Sequence, residues 1–366
     1  MSLYELFLNW SRFYFIDSNN YYLRKRFTSK LNMKLLRYVL LPFVPVYYLI
    51  TSLRNLSYDL GILHSRRFDL PIICVGNLSV GGTGKSPMVE HLIRLLKADH
   101  HVATLSRGYR RKTKGFALAD HQSSALSIGD EPFQFYRKFR PDIMVAVDSD
   151  RQNGIQKLLG IQDPPDVIIL DDAFQHRKVQ AGFYILLSTY DQLYTDDWML
   201  PTGDLRESRS GADRADIIVI TKCPDDMNQL DKDRIIRKIK PLEHQKVFFS
   251  QINYSDKLYS AHESKDLIDV DDFTLVSGIA NARPLVDFLK NKGLNFDHLE
   301  FKDHHNYTEK DILDLSDKSI IVTTEKDYVR LQQQKVLENK LYYLPITLEL
   351  DRSEEFQSLI RGFVKT

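Results

Sequence analysis

From residue 71 onward, short runs of Val, Ile and Leu alternate with stretches whose apolar residues recur at helical spacing. PIICVGN (71–77) reads as a buried strand; a glycine loop and a helix over PMVEHLIRLLK (87–97) follow it. HVATLSR (101–107), IMVAVD (143–148), VIILDD (167–172), FYILLS (183–188) and DIIVITK (216–222) read as five further strands. These runs are apolar nearly throughout rather than alternating, as in strands covered on both faces. Alternation of strand and helix predicts an α/β fold with a doubly wound, mostly parallel sheet. A charged stretch (224–245) reads as a surface helix before a boundary near residue 245. KVFFSQINY (246–254), FTLVSGIA (273–280) and SIIVTTEKD (319–327) begin a smaller α/β set. The predicted division is an N-terminal extension at 1–70, a nucleotide-binding domain at 71–245 and a smaller C-terminal domain at 246–366.

The first 70 residues differ from this pattern. No charge occurs from Tyr38 to Leu53 (YVLLPFVPVYYLITSL), a run shorter than the roughly 20 residues a spanning helix needs. Pro42 and Pro45 interrupt it, and basic chain without a small-residue cleavage site argues against a signal peptide. An interfacial anchor fits better, with Tyr47 and Tyr48 at headgroup level and Arg37 and Arg54 flanking; a helix packed on the core is the alternative. Met33 offers a second start for the chain.

Composition sharpens this. The chain of 366 residues is 43% hydrophobic and 27% charged, an ordinary globular balance that suggests about two domains. Net charge is only +1, yet residues 1–70 hold ten Lys/Arg against four Asp/Glu. A basic, apolar N-terminus suggests an anionic membrane surface as partner. Neither nucleic acid nor an obligate protein partner is expected. The two cysteines, Cys74 and Cys223, have no metal-type spacing and fit a reducing compartment.

The sharpest chemistry is SVGGTGKS, Ser79 to Ser86, between a predicted strand and a predicted helix. Gly81, Gly82 and Gly84 let backbone N–H groups close on phosphate oxygens, alongside Val80 and Thr83. The helix N-terminus adds its dipole, Lys85 reaches the terminal phosphates of ATP, and the Ser86 hydroxyl suits Mg²⁺. Ser79 stands where the usual phosphate loop has glycine. Asp171 and Asp172, ending the fourth apolar strand, read as the acidic partner that manages Mg²⁺. A P-loop NTPase-type α/β/α sandwich is therefore predicted.

Taken together, VGNLSVGGTGKSP (75–87), LSRGYRRK (105–112), GDEP (129–132), LDDAFQHR (170–177), LPTGDLRES (200–208), KDHHNY (302–307) and VTTEKD (322–327) resemble the lipid A 4'-kinases, the tetraacyldisaccharide 4'-kinase family. The resemblance runs from about residue 34 to the C-terminus. It implies transfer of the γ-phosphate of ATP to the 4'-hydroxyl of a tetraacylated glucosamine disaccharide, the lipid A precursor. It also implies work at the cytoplasmic face of the inner membrane of a Gram-negative bacterium, two α/β/α domains joined by a hinge, and an N-terminal membrane-associating helix. By the same resemblance, Asp150 pairs with His304 to activate the sugar hydroxyl, with Asp148 a competitor for Asp150 and His305 for His304. Glu207 falls near the metal and phosphates. Arg107 and Arg110, in a basic cluster, would hold an acceptor phosphate or the nucleotide. Gln175, His176 and Arg177 would line the cleft, although His176 could equally cap the next helix. Thr324 to Asp327 also fits a purely structural helix cap. Two rivals use the same loop: a membrane-docked switch ATPase, which needs no acid–base pair, and a scaffold without turnover.

Overall fold

The structure is a computed structural model that describes residues 37–365. Met33 and the basic residues before Arg37 therefore lie outside the described residues. Two sheets organise the chain. The first has nine strands in the order β15-β8-β7-β6-β1-β5-β2-β4-β3. Its strands are β1 (Ile72–Asn77), β2 (Val102–Ser106), β3 (Ala117–Leu118), β4 (Ile143–Val147), β5 (Val167–Asp171), β6 (Phe183–Thr189), β7 (Ile217–Thr221), β8 (Lys246–Tyr254) and β15 (Ile346–Leu350). The seven inner strands pair in parallel, and only β3 and β15 at the edges run antiparallel.

The apolar runs explain the burial. Successive residues of a strand face opposite sides, so Ile72 and Cys74 enter one core while Ile73 and Val75 enter the other. Helix α2 (Lys85–Leu96) covers the second face with Met88, Val89, Leu92 and Ile93, beside Phe356 and Ile360 of the C-terminal helix α10 (Ser353–Lys365). Helix α5 (Arg151–Leu159) and helix α6 (Gln229–Ile239) cover the first. Short α3 (Ala125–Ile128) and α4 (Asp130–Phe139) lie between β3 and β4 in sequence.

The second sheet has six strands in the order β10-β9-β14-β13-β11-β12. They are β9 (Lys257–Tyr259), β10 (Ser264–Asp266), β11 (Phe273–Ser277), β12 (Phe296–Glu300), β13 (Ile321–Thr324) and β14 (Leu341–Leu344). Helices α7 (Arg283–Asn291), α8 (Glu309–Ser316) and α9 (Glu325–Leu331) flank it.

The expected division at residue 245 needs correction. Strand β8 pairs in parallel with β7, so it belongs to the first sheet. Strand β15 then returns to pair with β8, and α10 packs on the first core. The smaller unit is thus an insertion between β8 and β15, joined to the larger one by two chain crossings.

Helix α1 (Val44–Asp59) lies on the first unit with no buried residue. Its inner side is tethered by Tyr47 Oη to Arg206 O (2.9 Å), Asn55 to Glu207 (2.9 Å) and Arg54 to Gln175 O (2.9 Å). Its outer side exposes Val46, Leu49, Ile50 and Leu53 by more than half. Among the described residues no helix is long and apolar enough to cross a membrane.

Candidate active site

The chain leaves the central strand β1 at Asn77 and enters the loop Ser79–Gly84. Sheet order reverses here, with β5 on one side of β1 and β6 on the other, where open α/β sheets bind ligands. Gly81 (φ +112°) and Gly84 (φ +87°) adopt left-handed backbone that a side chain would strain, and Gly84 caps α2. The loop is held from outside. Val80 N donates to Asp204 O (2.8 Å), Thr221 Oγ1 to Thr83 O (2.8 Å) and Lys222 Nζ to Gly82 O (2.6 Å). Thr221 and Lys222, at the end of β7, therefore clasp the loop.

Lys85 Nζ lies 3.4 Å from Asn77 Oδ1 and 3.7 Å from Asp172 Oδ1. Arg206 donates to both oxygens of Asp172 (2.9 and 3.3 Å) and to Asn77 O (2.8 Å). Burial alone would raise the Asp172 pKa, but Lys85 and Arg206 outweigh it and hold it low. Its neighbour Asp171 is buried, accepts from Ser106 Oγ (3.2 Å) and leaves Oδ1 without a partner. Burial, followed by the nearby charges of Glu131 and Asp172, pushes Asp171 up to about 7. Ser86 Oγ donates to Glu131 Oε1 at 3.2 Å. Ser86, Glu131, Asp171 and Asp172 thus bring oxygen donors to the mouth of the loop, one of them an orphaned buried oxygen. Lys85 and Arg206 take up Asp172, and among the described residues no three His, Cys, Asp or Glu side chains are gathered as a metal cluster, but the donors are of the hard type that Mg²⁺ takes. Glu131 had no role assigned from sequence, although its GDEP segment stood among the recognised motifs.

Across the cleft, the second unit contributes His304, whose φ of +56° turns the loop back toward the first unit. Its backbone N bonds Gly278 O (3.1 Å). Gly278 is itself fixed by Asp327, whose Oδ2 accepts from Gly278 N and Thr324 Oγ1 (both 2.8 Å). Thr324 Oγ1 accepts from Asp327 N (3.2 Å), so Thr324 and Asp327 do form the cap of α9. The imidazole faces Asp130, with Nδ1 3.5 Å from Oδ2. Arg330 Nε donates to that same oxygen (3.1 Å). Burial would raise the Asp130 pKa, but hydrogen bonds from His304 and Arg330, with the Arg330 charge, hold it at about 2. Lys326 Nζ stands 3.0 Å from His304 Nε2.

The expected Asp150–His304 pair is not formed. Asp150 is the N-cap of α5, accepting from Gln152 N (3.0 Å) and Asn153 N (3.5 Å), with Lys178 4.0 Å away. Asp148 is buried and accepts from Asn153 Nδ2 (2.6 Å). His305 turns away to Asp311 (2.9 Å). Glu207 also departs from its expected place at the metal. Its carboxylate is taken up by Arg214 (2.9 and 3.0 Å), Gln175 (2.9 Å) and Asn55 (2.9 Å), which makes it a buried clasp between α1 and the sheet.

Of the remaining residues, Gln175 bridges Glu207 to Asn77 O (2.9 Å) behind the phosphate loop. Arg177 pairs with Asp59 of α1 (2.7 Å). Burial, and then Arg151, pushes the His176 imidazole down to about 4, so it is neutral at pH 7. Arg107 and Arg110 are exposed, and Arg110 reaches His304 O at 3.5 Å. The basic loop therefore borders the cleft on the His304 side.

The chain is similar to known proteins. A profile of the family described as tetraacyldisaccharide-1-P 4'-kinase matches residues 36–365. A tetraacyldisaccharide 4'-kinase of Flavobacterium johnsoniae is 51% identical over 339 residues, covering 91% of this chain and 98% of that protein. One of Bacteroides thetaiotaomicron is 41% identical, covering 89% and 93%. A crystal structure of LpxK from Aquifex aeolicus in complex with ATP superposes with a TM-score of 0.72 at 31% identity, covering 90% of this chain and 99% of that one.

Proposed function

Because the chain belongs to the tetraacyldisaccharide-1-P 4'-kinase family, we propose a division of labour among its residues for that reaction. The protein is an ATP-dependent kinase of lipid A biosynthesis, a transferase that phosphorylates the 4'-hydroxyl of a tetraacyldisaccharide 1-phosphate. The phosphate chain of ATP lies on Ser79–Ser86, with backbone N–H groups and the α2 N-terminus turned toward it. Lys85 meets the terminal phosphates. Ser86, Glu131, Asp171 and Asp172 hold Mg²⁺, which supplies charge neutralisation on the phosphates.

His304 is the general base, oriented by Asp130 rather than Asp150. An imidazole turned toward a carboxylate at Nδ1 is oriented to take a hydroxyl proton at Nε2, worth about 10²–10⁴-fold in rate. The observation that carries this reading is the approach of His304 from the inserted unit to Asp130 at the start of α4. Arg330 fixes Asp130 from the same side as His304 and is a positioning residue. Closure of the 255–345 unit on the larger one assembles the site and excludes water. Arg107 and Arg110, and separately the neutral His176, serve the phosphate or sugar of the acceptor.

Helix α1 docks the enzyme on a membrane. The exposed apolar outer side of the tethered helix supports this reading, in which Leu49, Ile50 and Leu53 enter the interface and the acyl chains of the acceptor stay in the bilayer. The cytoplasmic face of the inner membrane is where ATP and this acceptor meet. Phosphate transfer from γ-labelled ATP to tetraacyldisaccharide 1-phosphate in detergent micelles tests the assignment of the base. His304→Ala should lose lipid labelling while still binding ATP; wild-type labelling by that variant would remove His304 from the mechanism.

A further inference from the structure

Helix α9 carries a second cation toward the cleft, and the roles above leave it unused. Lys326 Nζ lies 3.0 Å from His304 Nε2 and 3.9 Å from Glu131 Oε1, the oxygen that accepts from Ser86. One ammonium group therefore touches both halves of the site: the imidazole nitrogen that faces the acceptor, and the carboxylate beside the phosphate loop. Its side chain is about one-quarter exposed.

A neutral imidazole has one N–H and one acceptor nitrogen, while ammonium and guanidinium groups only donate. His304 meets such a donor at each ring nitrogen: Lys326 Nζ 3.0 Å from Nε2 and Arg330 Nη2 2.8 Å from Nδ1. A neutral ring accepts from only one of them, so the Lys326 ammonium is not locked to the imidazole and can turn to an anion that enters beside it.

We propose that Lys326 is a catalytic residue, a cation supplied by the inserted unit that contacts the transferring phosphoryl group between ATP and the acceptor hydroxyl. The proposal rests on the kinase reading and extends it. In the step, the acceptor oxygen forms a bond to the γ-phosphorus and its proton passes to His304 Nε2. The bond from γ-phosphorus to the β–γ bridging oxygen breaks, and its electron pair leaves with ADP. The entering hydroxyl displaces Lys326 from Nε2, and the ammonium turns to the phosphoryl oxygens. Only α9 presents it, so the charge arrives when the two units close, which favours transfer to the acceptor over hydrolysis.

The test uses the full-length enzyme in micelles with γ-labelled ATP and tetraacyldisaccharide 1-phosphate. Lys326→Met keeps the length of the chain and removes the charge. We expect kcat to fall about 100-fold, as for loss of one transition-state donor, with KM for both substrates and the unfolding midpoint nearly unchanged. Lys326→Arg should recover most of the loss. A Lys326→Met enzyme within threefold of wild-type kcat overturns the proposal, and so does a loss confined to KM. A wild-type enzyme that labels no lipid would overturn the kinase reading beneath it as well, which separates the two failures.

Discussion

Arg330 joins the two units at Asp130, and its contribution can be worked out. Its side chain is 10% exposed and Asp130's 25%. Asp130 is held at about 2 against an ordinary 3.8, a difference equivalent to about 2 kcal/mol of native-state stabilisation. His304 shares that effect, and partial exposure weakens it, so the Arg330 share should be about 1–1.5 kcal/mol. A double-mutant cycle with Arg330→Met and Asp130→Asn isolates it. Arg330 also lies 3.6 Å from the buried Asp327, but that loss appears on both legs of the cycle and cancels. Because the Asp130 pKa is depressed, the coupling is complete above the ordinary carboxylate range. It fades as pH falls from about 4 toward 2. Urea unfolding of the four proteins at pH 7 and pH 3 measures it. Additivity within about 0.5 kcal/mol at pH 7, or a coupling that grows on acidification, would refute the reasoning.

Three other outcomes follow from the packing. A Cβ on Gly76 would sit 2.6 Å from Phe174 Cβ, so Gly76→Ala should cost about 1–3 kcal/mol in thermal unfolding; an unchanged midpoint would contradict the close approach. Glu207→Ala strands Arg214 in a site where that side chain is only 18% exposed, and should cost about 3–5 kcal/mol while leaving the Mg²⁺ dependence of turnover unchanged. A raised Mg²⁺ requirement with normal stability would return Glu207 to the metal. Replacing Leu49, Ile50 and Leu53 together by serine should abolish co-sedimentation with anionic vesicles, each side chain contributing about 1.5–3 kcal/mol if fully buried. The unfolding midpoint should not fall, since none of the three is buried in the protein, and undiminished vesicle binding would refute α1 as the anchor.

What could be read from the sequence follows a physical line. The phosphate loop and the Asp171–Asp172 strand end were legible because their evidence is local: glycines where backbone must turn, carboxylates where an apolar strand stops. Parallel strands announced themselves by unbroken apolar runs such as VIIL. The partner of His304 was hidden because Asp130 lies 174 residues away in another unit, and only tertiary closure joins them. Asp150, one residue before a helix, carried the ordinary signature of an N-cap, and that is what it is. The partners of Glu207 were hidden because an acidic residue beside a site gives no sign of being taken up by Arg214, Gln175 and Asn55. The end of the first unit was misplaced because β15, some 90 residues after β8, returns to its edge, and pairing at that range leaves no local trace.

The assignment of the base is tested most directly by comparing Asp130→Asn with Asp150→Asn in phosphate transfer from γ-labelled ATP to tetraacyldisaccharide 1-phosphate. The Asp130–His304 geometry predicts a fall of about 10²–10⁴-fold in kcat for Asp130→Asn and near wild-type turnover for Asp150→Asn, whose loss is only a helix cap. Full activity in Asp130→Asn with a collapse in Asp150→Asn would contradict it and give the role back to the α5 cap.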